Sequence, residues 1–181
     1  MNSPKSLSIA AIVTVAAAVL YISNSTAIEY ASLQHSKPQT KTLCASDERV
    51  IFSCVLRQPA KTVSVCASKD LTNEKGYLQY RFGMPGKIEL EFPKDRANTQ
   101  QQFEYSHYFR ARVDMTEINF TVNGVSYSVF DDYNGEEKPD VNEQGVSINW
   151  PATNKKEVRY LCSSKPKADY ADLQDVLKKE P

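Results

Sequence analysis

The stretch FSCVLRQPAKTVSVCAS, residues 52–68, places two cysteines on either side of a Gln58-Pro59-Ala60 turn. The Val, Phe and Thr residues around the cysteines favour strands, and the proline at the centre favours a turn between them. The stretch therefore predicts an antiparallel hairpin. A register centred on Ala60 sets Cys54 opposite Cys66, where a cross-strand disulfide is geometrically reasonable.

The four cysteines of the chain are interpreted as two disulfides. Four cysteines allow three pairings, and once Cys54 is joined to Cys66 the remaining bond joins Cys44 to Cys162, at the two ends of the domain. The intervals of 10, 12 and 96 residues between them fit no zinc template, and the sequence has no C-x-x-C redox motif. We therefore expect no metal site, no cofactor and no thiol chemistry. An even number of cysteines is typical of an oxidising compartment.

The amino end has the pattern of a signal peptide. Residues 1–6 carry Lys5, and sixteen uncharged residues, LSIAAIVTVAAAVLYI, follow them. Ser25 and Ala27 are the small residues that a signal peptidase reads, so cleavage is predicted after Ala27. A retained membrane anchor is the alternative, because a short apolar run can still span a thin bilayer. The protein is expected in the periplasm or outside the cell.

Removal of residues 1–27 leaves 154 residues, enough for one domain with a core. We predict a flexible lead over residues 28–42, a disulfide-braced β domain over 43–164, and a tail over 165–181. The predicted mature chain has 21 basic and 22 acidic residues, which favours neither nucleic acid nor an anionic membrane as a partner.

Apolar residues alternate with polar ones along most of the predicted domain, as they do in half-buried strands. The segments are GYLQYRFG (76–83), KIELEF (87–92), EINFTVNG (117–124), VSYSVF (125–130), GVSINW (145–150) and EVRYLC (157–162). Hairpin-length links join most of them, and Asn123-Gly124 is a strong two-residue turn signal. We predict an all-β, antiparallel meander of about eight strands, closed as a barrel or folded as a sandwich, with the barrel favoured.

The tail has a different period. In KADYADLQDVLKKE (167–180) the residues Tyr170, Leu173, Val176 and Leu177 form one apolar stripe. Acidic residues come early and lysines late, which complements a helix dipole. A short carboxyl-terminal amphipathic helix is predicted.

Two links are longer than a hairpin needs and are the predicted binding elements. One is PKDRANTQQQ (93–102), and the other is DDYNGEEKPDVNEQ (131–144), which holds six acidic residues. The acidic residues Asp131, Asp132, Glu136 and Glu137 are candidate partner-binding residues. An exposed acidic loop is favoured over a calcium site or a catalytic carboxylate pair, because the glycine is misplaced for an EF-hand and the acids are expected to be solvated.

The sequence offers little for catalysis. His107 is the only histidine in the predicted domain, and an enzyme would need it near a carboxylate and a cleft. No G-x-S-x-G or similar nucleophile motif is present. We expect no catalytic residues.

Two resemblances bear on the function. The motifs FSC, KTVSVCAS and GYLQYRFG resemble a family of small exported proteobacterial proteins, which implies export and the Cys54–Cys66 hairpin but no activity. NGVSY (123–127) is similar to the Ser-Gly-x-x-Tyr loop that periplasmic lysozyme inhibitors, which are small antiparallel β proteins, insert into the lysozyme cleft. With Asn in place of Ser, this resemblance implies that Asn123, Gly124 and Tyr127 bind the partner. The alternative is an ordinary Asn-Gly turn with Tyr127 packed inward.

The features together favour a non-enzymatic binding protein of the cell envelope, an inhibitor of a cell-wall hydrolase or an immunity protein against a toxin. The acidic loop would complement a basic enzyme such as a lysozyme. The alternatives are a structural envelope component and a barrel that binds a small ligand in a cavity lined by Tyr80, Phe82, Phe120 and Trp150.

Overall fold

The computed structural model describes residues 42–179, which form short strands with very little helix. The predicted signal peptide and nearly all of the predicted lead lie outside these residues. The strands are β1 (Arg49–Val55), β2 (Thr62–Ala67), β3 (Leu78–Met84), β4 (Lys87–Phe92), β5 (Glu104–Arg110), β6 (Val113–Val122), β7 (Val125–Asn134), β8 (Val141–Asn149), β9 (Val158–Leu161), β10 (Lys167–Ala168) and β11 (Lys178–Lys179). A 3₁₀ turn (Thr99–Gln102) and the helix α1 (Leu173–Val176) complete the described part. The all-β prediction is confirmed.

The strands form two sheets rather than one closed barrel, so the preference for a barrel is wrong. Sheet A has five strands in the order β10-β1-β2-β3-β4, and sheet B has six in the order β11-β5-β6-β7-β8-β9. Every pairing is antiparallel except that of β11 with β5. Strands β5 to β9 form a meander in which each pairs with the next. At one corner a bridge between Leu56 and Cys162 links the end of β1 to the end of β9.

Side chains from both sheets meet in one hydrophobic core. The rings of Tyr80 in β3 and Phe120 in β6 lie 4.8 Å apart between centroids. Phe52, Val65 and Ile118 are fully buried in the same cluster. Burial of each such side chain contributes roughly 1.5–3 kcal/mol. Tyr80 and Phe120, which the sequence placed around a ligand cavity, therefore fill the core.

The predicted disulfide pairing is wrong, although all four cysteines are oxidised. Cys44 is bonded to Cys66, and Cys54 is bonded to Cys162. The hairpin is not centred on Ala60, because Cys54 pairs with Val63 and Cys66 pairs with Val50. Side chains alternate along a strand, so Cys54 faces the core with Val63 while Cys66, three residues further along β2, points to the outer face of sheet A. Cysteines on opposite faces of a sheet cannot bond.

The outer face of sheet A is covered by the segment that leads into β1. The Cys44–Cys66 bond holds this segment, and the buried carboxylate of Glu48 accepts two hydrogen bonds from Arg81, at 2.6 and 2.8 Å. Tyr77 donates a third, at 2.8 Å. Burial alone would raise the pKa of Glu48, but the hydrogen bonds from Arg81, the Ala45 amide and Tyr77 outweigh it and lower that pKa to about 2. The cluster is a structural ion pair.

The predicted carboxyl-terminal helix is only one turn long. Tyr170, Leu173 and Leu177 pack on the core as the sequence stripe suggests. The chain on either side of α1 is extended, because β10 pairs with β1 and β11 pairs with β5. The tail therefore runs from an edge of sheet A to an edge of sheet B. Among residues 42–179 no helix is long and apolar enough to cross a membrane.

Candidate functional site

One end of sheet B carries inward-facing side chains that β1 to β4 do not cover. In β6 the residues Ile118 and Phe120 face the core, and alternation puts Asp114 and Thr116 on the same face nearer the other end of the strand. These residues and their neighbours on β5 and β7 form the floor of an open cleft of about 570 Å³. The tail, from Lys165 to Gln174, supplies the wall. We call this uncovered part of the sheet the overhang.

The outermost row of the overhang consists of a carboxylate between two aromatic rings. Asp114 pairs directly with Phe109 on β5 and with Tyr133 on β7. Directly opposed residues of an antiparallel pair have Cβ atoms about 5 Å apart and share a face. Phe109 is 72% exposed and Tyr133 is 37% exposed. The Asp114 side chain is 51% exposed.

Three rings line one face of β5 and lead from the core to this row. Tyr105 is buried, His107 is partly exposed and Phe109 is the most exposed. Their centroids are 6.5 Å apart for Tyr105 and His107 and 6.3 Å apart for His107 and Phe109. His107 Nε2 lies 2.9 Å from Asp114 Oδ1. The histidine that the sequence singled out therefore lies beside a carboxylate and in a cleft.

The inner end of the cleft holds a second carboxylate, that of Asp131. Tyr170 from the tail donates a hydrogen bond to Asp131 Oδ2 at 3.2 Å. Burial raises the pKa of Asp131, and hydrogen bonds from Gln144 and Tyr170 lower it in part. Burial and the neighbouring Asp131 raise the pKa of Tyr170. Both groups therefore hold their protons more tightly than they would in water.

The predicted acidic loop is mostly strand, because β7 extends to Asn134 and β8 begins at Val141. Its acids are largely neutralised within the molecule. Arg110 donates two hydrogen bonds to the carboxylate of Glu136. Arg159 binds Asp132 at 2.9 Å and lies 3.5 Å from Glu143. Glu137 is exposed on the short loop that remains.

The Asn123-Gly124 turn lies at the other end of β6 and β7 from the overhang. Both residues have positive φ, 50° and 78°, as a tight two-residue hairpin requires. Tyr127 is half-buried, and its ring stacks on that of Phe120 with centroids 5.1 Å apart. In the structure, therefore, Tyr127 packs inward and does not stand on a protruding loop.

The other predicted binding loop, residues 93–102, is anchored to sheet A. Thr99 accepts a hydrogen bond from the amide of Leu78 at 2.7 Å, and the buried side chain of Gln100 donates to the carbonyls of Thr72 and Lys75. One cluster of metal-type ligands, Cys44, Glu48 and Cys66, was found among the described residues. It has no thiolate to offer, because its two cysteines are bonded to each other.

Comparison of the chain with family models, with curated proteins and with solved structures gave no match. The resemblances to the exported proteobacterial family and to the lysozyme inhibitors therefore stay predictions. Of the residues predicted from the sequence, the cleft includes Asp131 and His107 but not Asn123, Gly124 or Tyr127.

The residues that sequence reasoning missed are Phe109, Asp114 and Tyr133. The sequence did hold a signal for Phe109, because alternation places Tyr105, His107 and Phe109 on one face of β5. The sequence interpretation singled out only His107 from this face. Asp114 could be placed between the two rings only once the registers of β5, β6 and β7 were known.

Proposed function

We propose that this chain is a non-enzymatic binding protein of the periplasm or the cell exterior that holds a partner protein at the overhang. The proposed class of protein is an inhibitor of a cell-wall hydrolase or of a toxin. The observation that carries the proposal is the exposure of Phe109 and Tyr133. They lie on the face of sheet B that packs on the core elsewhere, at the end that β1 to β4 leave uncovered. Large exposed aromatic side chains with polar neighbours are typical of protein interfaces.

The rest of the described fold supports a rigid presentation of this surface. Two disulfides indicate an oxidising compartment outside the cytoplasm and hold segments far apart in sequence together. Strands β5 to β9 form a continuous meander, so the three strands that form the overhang, β5, β6 and β7, are held by hydrogen bonds along their length. A surface that is ordered before binding loses less conformational freedom when the partner arrives.

The test is a titration of several muramidases with the purified, disulfide-intact protein. We expect loss of activity of at least one enzyme at micromolar protein. F109A should weaken the inhibition about tenfold if Phe109 is an anchor of the interface. M84A is the matched control, because Met84 is a large side chain, 52% exposed, in sheet A. Inhibition of no muramidase would remove this partner class, and equal effects of the two variants would remove the overhang as the interface.

The pair of His107 and Asp114 favours one second candidate, an enzyme that uses His107 as a general base. The 2.9 Å contact with Asp114 would orient the imidazole, and His107 lines a cleft that could hold a substrate. No Ser or Cys is among the residues that line this cleft, so the nucleophile would be water or another lining group such as Thr116, Tyr133 or Lys165. An enzyme should lose its activity in H107Q, whereas a binding protein should keep its affinity. A screen of the wild type and H107Q against cell-wall substrates separates the two.

A further inference from the structure

Asp114 forms no ion pair with a lysine or an arginine among the described side chains. Its one basic neighbour is His107, which is cationic only when it is protonated. The two nearby arginines are occupied, since Arg110 binds Glu136 and Arg112 donates to the carbonyl of Gly135 and lies 3.7 Å from Asp140. Lys165 lines the same cleft but forms no ion pair with Asp114. The outer row of the overhang therefore presents a carboxylate that no lysine or arginine among the described residues neutralises.

The surroundings of this charge suit a cation better than a neutral group. Phe109 and Tyr133 flank the carboxylate on both sides through direct cross-strand pairing. Aromatic ring faces attract guanidinium and ammonium groups, and the carboxylate adds a charge-assisted hydrogen bond. A neutral hydroxyl could donate a hydrogen bond to the carboxylate but would lack the attraction of a positive charge to the rings and to the carboxylate. The second acceptor, Asp131, lies further in and is held by Tyr170.

We infer that the slot formed by Phe109, Asp114 and Tyr133 receives the cationic head of an Arg or Lys side chain. The inference rests on the proposed function, because it names the group by which a partner protein is recognised. It also explains how a chain whose acidic loop is neutralised internally can select a basic partner. Recognition is then local, through one carboxylate and two rings, instead of through a broad acidic surface.

Small probes test the slot without knowledge of the partner. The probe is Nα-acetyl-arginine methylamide, and the matched neutral probe is Nα-acetyl-citrulline methylamide, which has the same shape without the charge. Binding to the purified, disulfide-intact protein is followed by NMR, through the ring signals of Phe109 and Tyr133. The arginine probe is expected to shift these signals in a saturable way, and the citrulline probe is expected to bind about fivefold more weakly.

Three variants complete the design. D114N keeps the shape of the side chain and removes its charge, and should weaken the arginine probe about fivefold. D175N removes the charge of an exposed acid of the tail, next to Gln174 of the cleft wall, and should leave binding unchanged. H107Q cannot acquire a positive charge and should bind the arginine probe at least as well as the wild type does.

Two results would overturn the inference. One is equal weakening by D114N and D175N, since this would show a diffuse field instead of a slot. The other is equal binding of the two probes, since this would show an apolar contact that is indifferent to charge. A slot that binds the arginine probe in a protein that inhibits no hydrolase would remove only the proposed partner class.

Discussion

Two Arg–Glu pairs occupy opposite situations in this molecule. Arg81 and Glu48 are both buried under the segment that covers the outer face of sheet A. Arg110 and Glu136 make the same two-pronged contact in the open, at the tip of sheet B beside the overhang. The first pair is held in a region sealed from water, where an unpaired charge is costly, whereas water screens the second. The same chemistry thus stabilises the fold in one region and only neutralises a surface in the other.

The two disulfides differ in the length of the chain segment that each one closes, and this predicts unequal contributions to stability. Cys54–Cys162 joins residues 108 apart inside the core, and Cys44–Cys66 joins residues 22 apart over the outer face of sheet A. On the chain-entropy model, C54A/C162A should lose about 5 kcal/mol of the free energy of unfolding and C44A/C66A about 3 kcal/mol. Denaturant unfolding of the two double variants measures this. A larger loss from C44A/C66A would contradict the ranking.

Replacement of each arginine by methionine tests the comparison most directly. R81M leaves the buried Glu48 carboxylate without its main partner and should cost about 4 kcal/mol of the free energy of unfolding. R110M frees an exposed Glu136 that water can solvate, and no resolvable change in stability is expected. Chemical denaturation at neutral pH measures both. Similar losses in the two variants would show that burial does not distinguish the pairs.

The same contrast should appear on acidification. The pKa of Glu48 is about 2 in the folded protein, against an ordinary value of 4.5. The stabilisation that this difference provides is complete above pH 4.5 and is lost as the pH falls towards 2, by about 3 kcal/mol in all. The raised pKa of Asp131 acts in the opposite direction, because protonation of this group favours the folded state. The free energy of unfolding, measured by denaturant titration at several pH values between 6 and 2, should fall less steeply with decreasing pH for E48Q than for the wild type.

Most of the strands were predictable because alternation is a local property. The segment KIELEF is β4, and the Asn123-Gly124 turn lies where the sequence placed it. The tail was harder to predict. Its apolar stripe satisfies a helical period, yet pairing of β10 with β1 and of β11 with β5 keeps the chain extended on both sides of one helical turn. Distant partners overrode a local preference.

The cleft depended on register, which the sequence leaves open, whereas the error in the disulfide pairing could have been avoided from alternation alone. In β2, Val63 and Val65 are core residues, so alternation could have put Cys66 on the outer face and excluded Cys54 as its partner. The cleft required more information, because it lies where β5, β6 and β7 are not covered by β1 to β4 and where the distant tail supplies the wall. The contacts that neutralise the acidic loop likewise come from Arg110 and Arg159, on other strands.

The connectivity of the disulfides bears on how the chain matures. In chain order the first cysteine bonds the third and the second bonds the fourth. In the proposed exported protein, an oxidant that joined thiols in chain order would link Cys44 to Cys54 first, and that bond must be exchanged before either native bond can form. Efficient production should therefore require an enzyme that reshuffles disulfides as well as one that makes them. A host without such an enzyme should accumulate protein with the wrong pairs.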